Sequence, residues 1–169
     1  SNPMKPVQLS EQVISDFEAE FLQPIKQEDL LIGLGGGKDG NGLKLCIFDV
    51  SDPMNLRELA AYPIAETDCY TDTLNNPREI LFDEAHSQVG VPIHTEDSSG
   101  KRTNLYSVFS ISRQNGVALR KTIQHQSAGS FGDVNQGIVM NEILYTFSPE
   151  QVVSYRLDTF EPTSSIKLA

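Results

Sequence analysis

The side chains that could do chemistry in this sequence are few and scattered. Asp39 and Asn41 stand in a glycine-rich stretch at residues 36–42, and carboxylate and amide oxygens are ligands that Ca²⁺ accepts. A calcium-binding EF-hand loop also needs ligands at alternating positions and a closing Glu, which this stretch lacks. We expect a hairpin turn here, with Asp39 and Asn41 as weak calcium candidates and no other metal or cofactor.

The glycines at residues 33–37 superficially match a phosphate-binding loop. Such a loop ends in Gly-Lys-Ser/Thr and opens a helix, and neither feature follows here. Residues 127–130 (SAGS) likewise lack the Gly-x-Ser-x-Gly pattern of a nucleophile elbow. No catalytic or cofactor-binding residue is predicted from either stretch.

The three histidines, His86, His94 and His125, do not pair at the spacing of metal ligands. We expect His86 to lie in a turn between strands and the other two to lie at strand ends. Solvated or packing roles are predicted for all three.

Acidic residues are numerous, and glycoside hydrolysis uses two carboxylates that lie a few ångströms apart. We interpret the acidic pairs as solvated loop charges, although two of them could converge in space: Glu66 and Asp68, Asp83 and Glu84, Glu96 and Asp97. Asp49, Asp52 and Asp158 each follow an apolar run, and we expect them to cap turns by accepting hydrogen bonds from backbone N–H groups.

The two cysteines, Cys46 and Cys69, form no Cys-x-x-Cys motif and have no nearby histidine. Two readings stay open, namely two buried thiols or one disulfide. A disulfide would suit an exported protein.

The charge balance excludes some partners. The chain of 169 residues has 13 basic and 23 acidic side chains, for a formal net charge of −10. Such a surface repels phosphate backbones and anionic membranes, so nucleic-acid binding is not expected. No apolar run approaches the roughly 20 residues of a membrane-spanning helix.

The sequence predicts that β-strands position the candidate side chains named above. Short runs of aliphatic and aromatic residues alternate with Gly, Asp, Asn, Ser and Pro, which predicts strands and turns. Residues 10–20 could instead form a short helix. The predicted strands lie at residues 17–22, 30–35, 43–50, 56–65, 79–83, 88–93, 105–111, 117–125, 136–140, 142–147, 151–157 and 160–168.

The strands repeat as units. Residues 46–51, 107–112 and 153–158 align, each with an aromatic residue, a polar residue, an aliphatic residue and a turn. A loose period of about 40–50 residues with four strands per unit is typical of β-propeller blades. The sequence therefore predicts an all-β protein of about three four-stranded antiparallel blades, which is part of a propeller.

A family resemblance rests on residues 42–45 (GLKL) and 48–53 (FDVSDP), which follow the apolar run at 30–35. These stretches resemble a family of exported bacterial and archaeal proteins with a C-terminal β-propeller distantly related to WD40 repeats. The chain departs from that family at Pro77-Arg78, where a basic or histidine-containing pair is usual, and in its shortened third unit. The resemblance implies a propeller and an extracellular or cell-surface location, but no activity.

The domain prediction follows from the repeats. Residues 1–16 are interpreted as a lead-in, because Ser1-Asn2-Pro3-Met4 resembles an expression-tag scar. Residues 17–169 are interpreted as a partial propeller with blades at 17–65, 79–126 and 136–168.

The sequence leaves two hypotheses for the function. The first is a non-enzymatic binding or scaffolding module for a protein or cell-envelope component, with loops at 36–42, 66–77 and 96–103 as contact regions. The alternative is an extracellular hydrolase of glycan or protein, with acidic residues in the propeller channel. Because closed propellers use about four to eight blades, the open blade ends also predict either a homodimer or an open fan of blades with covered ends.

Overall fold

Thirteen strands form three antiparallel sheets in the computed structural model, which describes residues 3–13, 16–36, 42–65, 69–74, 76–96, 99–100, 102–125 and 134–168. Blade 1 contains β1 (Glu18–Ile25), β2 (Leu30–Gly36), β3 (Leu43–Asp49) and β4 (Arg57–Ala65). Blade 2 contains β5 (Cys69–Tyr70), β6 (Leu81–Asp83), β7 (Gln88–Glu96), β8 (Arg102–Ser112) and β9 (Gly116–Ile123). Blade 3 contains β10 (Gln136–Met140), β11 (Ile143–Phe147), β12 (Gln151–Arg156) and β13 (Pro162–Lys167).

Blades 1 and 3 are meanders in which strands pair in chain order, and in blade 2 both β5 and β6 pair with β7, which is followed by β8 and β9 in order. Neighbouring strands in a meander are joined by short connections, so the blade is built from local contacts. The all-β prediction and the prediction of about three four-stranded antiparallel blades are confirmed. The described residues 10–13 have no regular structure and residues 18–20 belong to β1, so the helix considered for residues 10–20 is wrong there.

The first strand of blade 2 is interrupted. β5 pairs with β7 at residues 94 and 95, and β6 pairs with β7 at residues 88–90, so among the described residues no strand pairs with residues 91–93 on that side. Pro92 lies in this gap, where a residue without an N–H group loses no ladder hydrogen bond. Two short 3-10 helices, Asp72–Leu74 and Pro77–Glu79, fill the break. The Thr71 hydroxyl donates to the Pro92 carbonyl and ties the detour to β7.

Two apolar clusters hold the blades together. The cluster between blades 1 and 2 is aliphatic apart from Phe109, and its buried members are Ile25, Leu30, Ile32, Leu34, Leu43, Leu45, Ile47, Val89, Val91, Ile93, Phe109 and Ile111. The cluster between blades 2 and 3 contains Leu81, Tyr106, Val108, Ile123, Val134, Leu144, Val153, Tyr155, Leu157 and Phe160. Because side chains alternate along a strand, the two faces of β8 serve different neighbours. Blade 2 is therefore buried on both faces.

Blades 1 and 3 each keep one outer face. On blade 1, Cys46 and Phe48 point away from blade 2 and are covered by Phe17 from the segment before β1. On blade 3, Ile138, Met140 and Ile166 are exposed. These open faces are what an incomplete ring of blades would leave.

The strand connections lie at two ends of the blades. One end, called the loop end, joins β2 to β3, β4 to β5, β7 to β8, β9 to β10 and β11 to β12. The opposite end, called the turn end, joins β1 to β2, β3 to β4, β6 to β7, β8 to β9, β10 to β11 and β12 to β13. All three loops expected to be contact regions begin or finish at the loop end. The part of the chain that the structure describes includes no helix long and apolar enough to cross a membrane.

Candidate functional site

The loop end of blade 2 carries a compact polar and aromatic group, here called the loop-end cluster. It consists of Tyr70, Asp72, His94, Asn104 and the ion pair of Glu96 with Arg102. Tyr70 lies on β5, Asp72 begins the detour, and the others come from the paired ends of β7 and β8. The register places His94 opposite Asn104 and Glu96 opposite Arg102, which brings each pair within contact distance.

His94 is at the centre of the cluster. Its Nδ1 lies 2.6 Å from Asn104 Oδ1, and its Nε2 lies 3.5 Å from Asp72 Oδ2. Each ring nitrogen of His94 therefore faces an oxygen atom. The Tyr70 ring stacks on the imidazole with centroids 4.9 Å apart and planes at 25°. The stack holds Tyr70 in place although about half of its surface is exposed.

A charged pair flanks this stack. Arg102 Nε lies 2.9 Å from Glu96 Oε2, and this hydrogen bond raises the pKa of Arg102 above its usual value. A cleft of about 160 Å³ separates Tyr70 and Leu74 from Gly36 and Gly42 at the ends of β2 and β3. An ordered aromatic side chain beside a cleft and a surface ion pair is suited to recognition. The cluster, as described, offers no nucleophile–base pair at hydrogen-bonding distance.

The turn end holds a different arrangement, centred on Asp49. The Asp49 carboxylate is buried and contacts Arg57 at 2.8 Å and Arg113 at 2.8 Å. Hydrogen bonds from Arg113, then Ser51 and Arg57, hold the pKa of Asp49 far below its usual range. Arg113 also donates to the Glu28 carbonyl at 2.7 Å. Because Arg113 belongs to blade 2, this network joins blades 1 and 2.

A second contact at the turn end joins blades 2 and 3. His86 Nδ1 lies 2.7 Å from Asp83 Oδ2, and its Nε2 lies 2.9 Å from Glu142 Oε1. The hydrogen bonds to Glu142 and Asp83 raise the pKa of His86. The predicted location of His86 in a turn is confirmed, whereas the contact with Glu142 of the next blade was not predicted.

His125 also joins blades 2 and 3, at the loop end. It follows β9 and is buried, with Nε2 2.7 Å from Thr146 Oγ1 and Nδ1 3.0 Å from Ser148 Oγ. Burial lowers its pKa. The packing role predicted for His125 is confirmed.

The three aspartates expected to cap turns do so. The backbone N–H groups of Ser51, Met54 and Thr159 donate to Asp49, Asp52 and Asp158 respectively, at 3.1, 2.9 and 2.9 Å. Asp83 and Glu84 are engaged with His86 and with the Gln27 N–H, at 2.7 and 3.2 Å. Asp39, Asn41, Glu66, Asp68 and Asp97 lie outside the described residues, so the calcium interpretation stays a prediction. The described residues contain no group of three or more His, Cys, Asp or Glu side chains placed to hold a metal.

The cysteines are free thiols, so the disulfide alternative is not what the structure has. Cys46 belongs to the cluster on the outer face of blade 1, whereas Cys69 packs against the cluster between blades 1 and 2. Side chains that face different clusters cannot approach to bonding distance without moving the strands. Burial raises the pKa of each thiol to about 11.

Comparison with known proteins agrees with this architecture. Residues 1–160 match the family described as the beta propeller domain, and the chain belongs to that family. An uncharacterised protein of Archaeoglobus fulgidus is 25% identical over 168 residues, which is 99% of this chain and 23% of that protein. The chain thus spans about a quarter of the length of this relative. A β-propeller domain supports a binding or scaffolding role in general terms.

Proposed function

We propose that this chain is a non-enzymatic binding or scaffolding module that acts outside the cell or at its surface. Its partner is a protein or another component of the cell envelope, and the loop end is its contact surface. The observation that carries this proposal is the ordered loop-end cluster, in which the Tyr70 ring is stacked on His94 and still half exposed. Aromatic side chains fixed in this way provide contact area at low entropic cost.

The blades supply the rigidity that such a surface needs. Two blade-to-blade clusters, and at the loop end the hydrogen bonds of the buried His125 with Thr146 and Ser148, hold the strands from which the loops emerge. The negative charge of the chain favours basic or neutral partners. Arg102 is held by Glu96, so it presents a neutral pair and not a free cation.

Capture from a cell-envelope extract would test this proposal. The double variant Tyr70→Ala, Arg102→Ala should lose the captured partner, because it removes the aromatic platform and the ion pair. Met54→Ala is the matched control, since Met54 is exposed at the turn end. Capture that is unchanged in the double variant, or lost equally in the control, would contradict the assignment of the loop end.

A hydrolase is the second candidate, because Asp83 and Glu142 both contact one imidazole and so lie close in space. Against it, both carboxylates are already engaged in hydrogen bonds with His86. Turnover of a glycan or protein substrate by the wild type that Asp83→Asn abolishes would establish the hydrolase and overturn the binding proposal.

The open blade faces support the proposal of a homodimer. Ile138, Met140 and Ile166 form an exposed apolar patch on blade 3, and Leu22 is exposed on blade 1. A second copy of the chain that covers these apolar side chains would remove them from water, which favours association. Light scattering at rising concentration should show a dimer that Ile138→Asp, Ile166→Asp disrupts. A strict monomer for the wild type at high concentration would contradict the dimer.

A further inference from the structure

The outward side of the blade 3 sheet carries a patch of apolar side chains, called the blade 3 patch here. Leu144, Val153 and Tyr155 point toward blade 2, and side chains alternate between the two faces of a strand. The register of the sheet therefore places seven apolar side chains on the opposite, outward face: Ile138, Met140, Ile143, Tyr145, Phe147, Val152 and Ile166. None of the seven belongs to an apolar cluster among the described residues.

The blade 3 patch is continuous across all four strands. Ile138 is paired with Tyr145, and Phe147 is paired with Val152, which is itself paired with Ile166. Paired side chains on one face of a sheet lie about 5 Å apart, so these neighbours reach each other. Four strands about 4.8 Å apart and five residues of about 3.4 Å each give a footprint of about 19 Å by about 17 Å. A sheet face of this kind is what neighbouring blades already pack against each other within the chain.

The charges on this face determine what can cover it. Among the outward positions of β10 to β13, all of which the structure describes, only Arg156 is charged, and it is ion-paired with Asp158 at 3.1 Å. A basic partner would find no free carboxylate here. Two copies of a chain with net charge −10 repel each other, and a face without a free carboxylate is where that repulsion is smallest.

The outward face of blade 1 is better covered than that of blade 3. Phe17 packs on Cys46 and Phe48, which are 1% and 7% exposed. The Ser10 hydroxyl donates to the Pro53 carbonyl at 2.7 Å and so holds the segment before β1 against blade 1. On the blade 3 patch, by contrast, three side chains are between 38% and 63% exposed. The chain thus has one large uncovered apolar face, and a second copy offers the same face.

We propose that the blade 3 patch binds the blade 3 patch of a second copy of this chain, which gives a two-fold symmetric dimer. This inference rests on the homodimer proposed above and adds its contact surface and its symmetry. A patch that pairs with itself is fully used in the pair, so assembly stops at two copies. Pairing of blade 3 with blade 1 would instead use both ends of every chain, in a ring or a filament.

Two matched variants test which faces meet. A footprint of this size is small for a stable complex, so sedimentation and light scattering should be followed up to about 0.5 mM protein. Ile138→Asp puts a charge into the centre of the contact and should weaken the dimer at least about tenfold. Leu22→Asp makes the same change on the outward face of blade 1 and should dimerise as the wild type does. Ile138 and Leu22 are 38% and 52% exposed, so both variants are compatible with folding.

A mixing experiment tests the symmetry. Ile138→Lys and Ile138→Glu should each be monomeric alone, because a patch that meets itself brings two like charges together. An equimolar mixture should regain a dimer with one copy of each variant, which native mass spectrometry identifies by mass. If blade 3 met blade 1, the two variants would not complement each other in this way.

The outcomes separate this inference from the homodimer itself. If Leu22→Asp dissociates the dimer as Ile138→Asp does, if neither variant dissociates it, or if the mixture stays monomeric, the patch-to-patch pairing is overturned while the homodimer stands. Assemblies larger than two copies also overturn it. A wild type that stays monomeric up to about 0.5 mM overturns both the pairing and the homodimer.

Discussion

At the scale of single residues, Tyr106 shows how closely blades 2 and 3 approach. Its side chain is fully buried and fills the space left by two glycines, Gly90 on β7 and Gly137 on β10. A Cβ atom on Gly137 would lie 2.7 Å from Tyr106 Cζ, which is well inside van der Waals contact. Its hydroxyl lies beside the backbone of Leu81 and Gly137, and burial raises its pKa far above its usual value.

Gly137→Ala should therefore destabilise the fold by about 1–3 kcal/mol or more, because the ring can move aside only by disturbing both blades. Urea unfolding at pH 7 measures this loss. Gly36→Ala is the control, since a Cβ there would meet its nearest atom, the Gly42 carbonyl oxygen, at 3.7 Å. Equal stability of the two variants would show that Tyr106 is not confined by Gly137.

His125 predicts a pH dependence with a definite sign. Burial lowers its folded pKa, so below the ordinary histidine value of about 6.5 the unfolded chain takes up a proton that the native chain does not. The part of stability that depends on His125 should thus fall as the pH drops from about 7 to 5. His125→Gln should remove this part of the acid sensitivity in thermal unfolding.

The His86→Gln variant is a control in which the pH dependence of stability should change in the opposite direction. The folded pKa of His86 is raised, so its contribution is present below about 6.5 and is lost as the pH rises through the folded value. The variant should consequently lose more stability at pH 5 than at pH 8. If His125→Gln and His86→Gln changed the pH profile in the same direction, one of the two pKa directions would be wrong.

At the scale of strands and turns, much of the fold could be predicted because its signals are local. Alternation and turn residues located the strands of blade 3 and the long strands of blade 1 to within a few residues. β5 was missed because a two-residue strand has no periodicity, and its existence depends on the partner residues His94 and Thr95. Pro92 was the available signal for the break in the first strand of blade 2.

The candidate site could be predicted less well from the sequence, because its contacts are not local along the chain. The stack of Tyr70 on His94 joins residues on different strands, and the contact of His86 with Glu142 joins different blades. Neither pair has a fixed spacing along the chain. By contrast, the turn-capping aspartates could be predicted, since an Asp side chain accepts from a backbone N–H only one or two residues away.

The Asp49 network gives a prediction at this scale, because it links turns of two blades. Arg57 and Arg113 both contact Asp49, but Arg57 lies on the adjacent strand of the same blade, whereas Arg113 comes from the β8–β9 turn. Arg113→Ala should therefore lower the thermal unfolding midpoint more than Arg57→Ala does.

The Asp49 network also makes the stability of the fold depend on pH in the acid range. The folded pKa of Asp49 is lowered, so its contribution is present above the ordinary carboxyl value of about 4 and is lost as the pH falls below it. The difference between Arg113→Ala and wild type should shrink between pH 5 and pH 2. A difference that stays constant would mean that Arg113 acts through the Glu28 carbonyl and not through the Asp49 carboxylate.

At the scale of the whole molecule, the blades are unequal in how they are supported. Blade 2 packs on a neighbour at both faces, whereas blades 1 and 3 pack at one. Phe17 covers part of the free face of blade 1, but the free face of blade 3 carries exposed Ile138 and Met140, and all of β13 is exposed.

Because the blades are supported unequally, they should unfold locally in a definite order. Native-state hydrogen exchange should protect β7 and β8 most, β2 and β3 next, and the strands of blade 3 least, because separating blade 3 exposes one cluster while opening blade 2 exposes two. Protection as strong in β12 as in β8 would refute this order. The middle blade then determines the lifetime of the folded chain, and the last blade can detach and re-dock as a unit while the first two stay together.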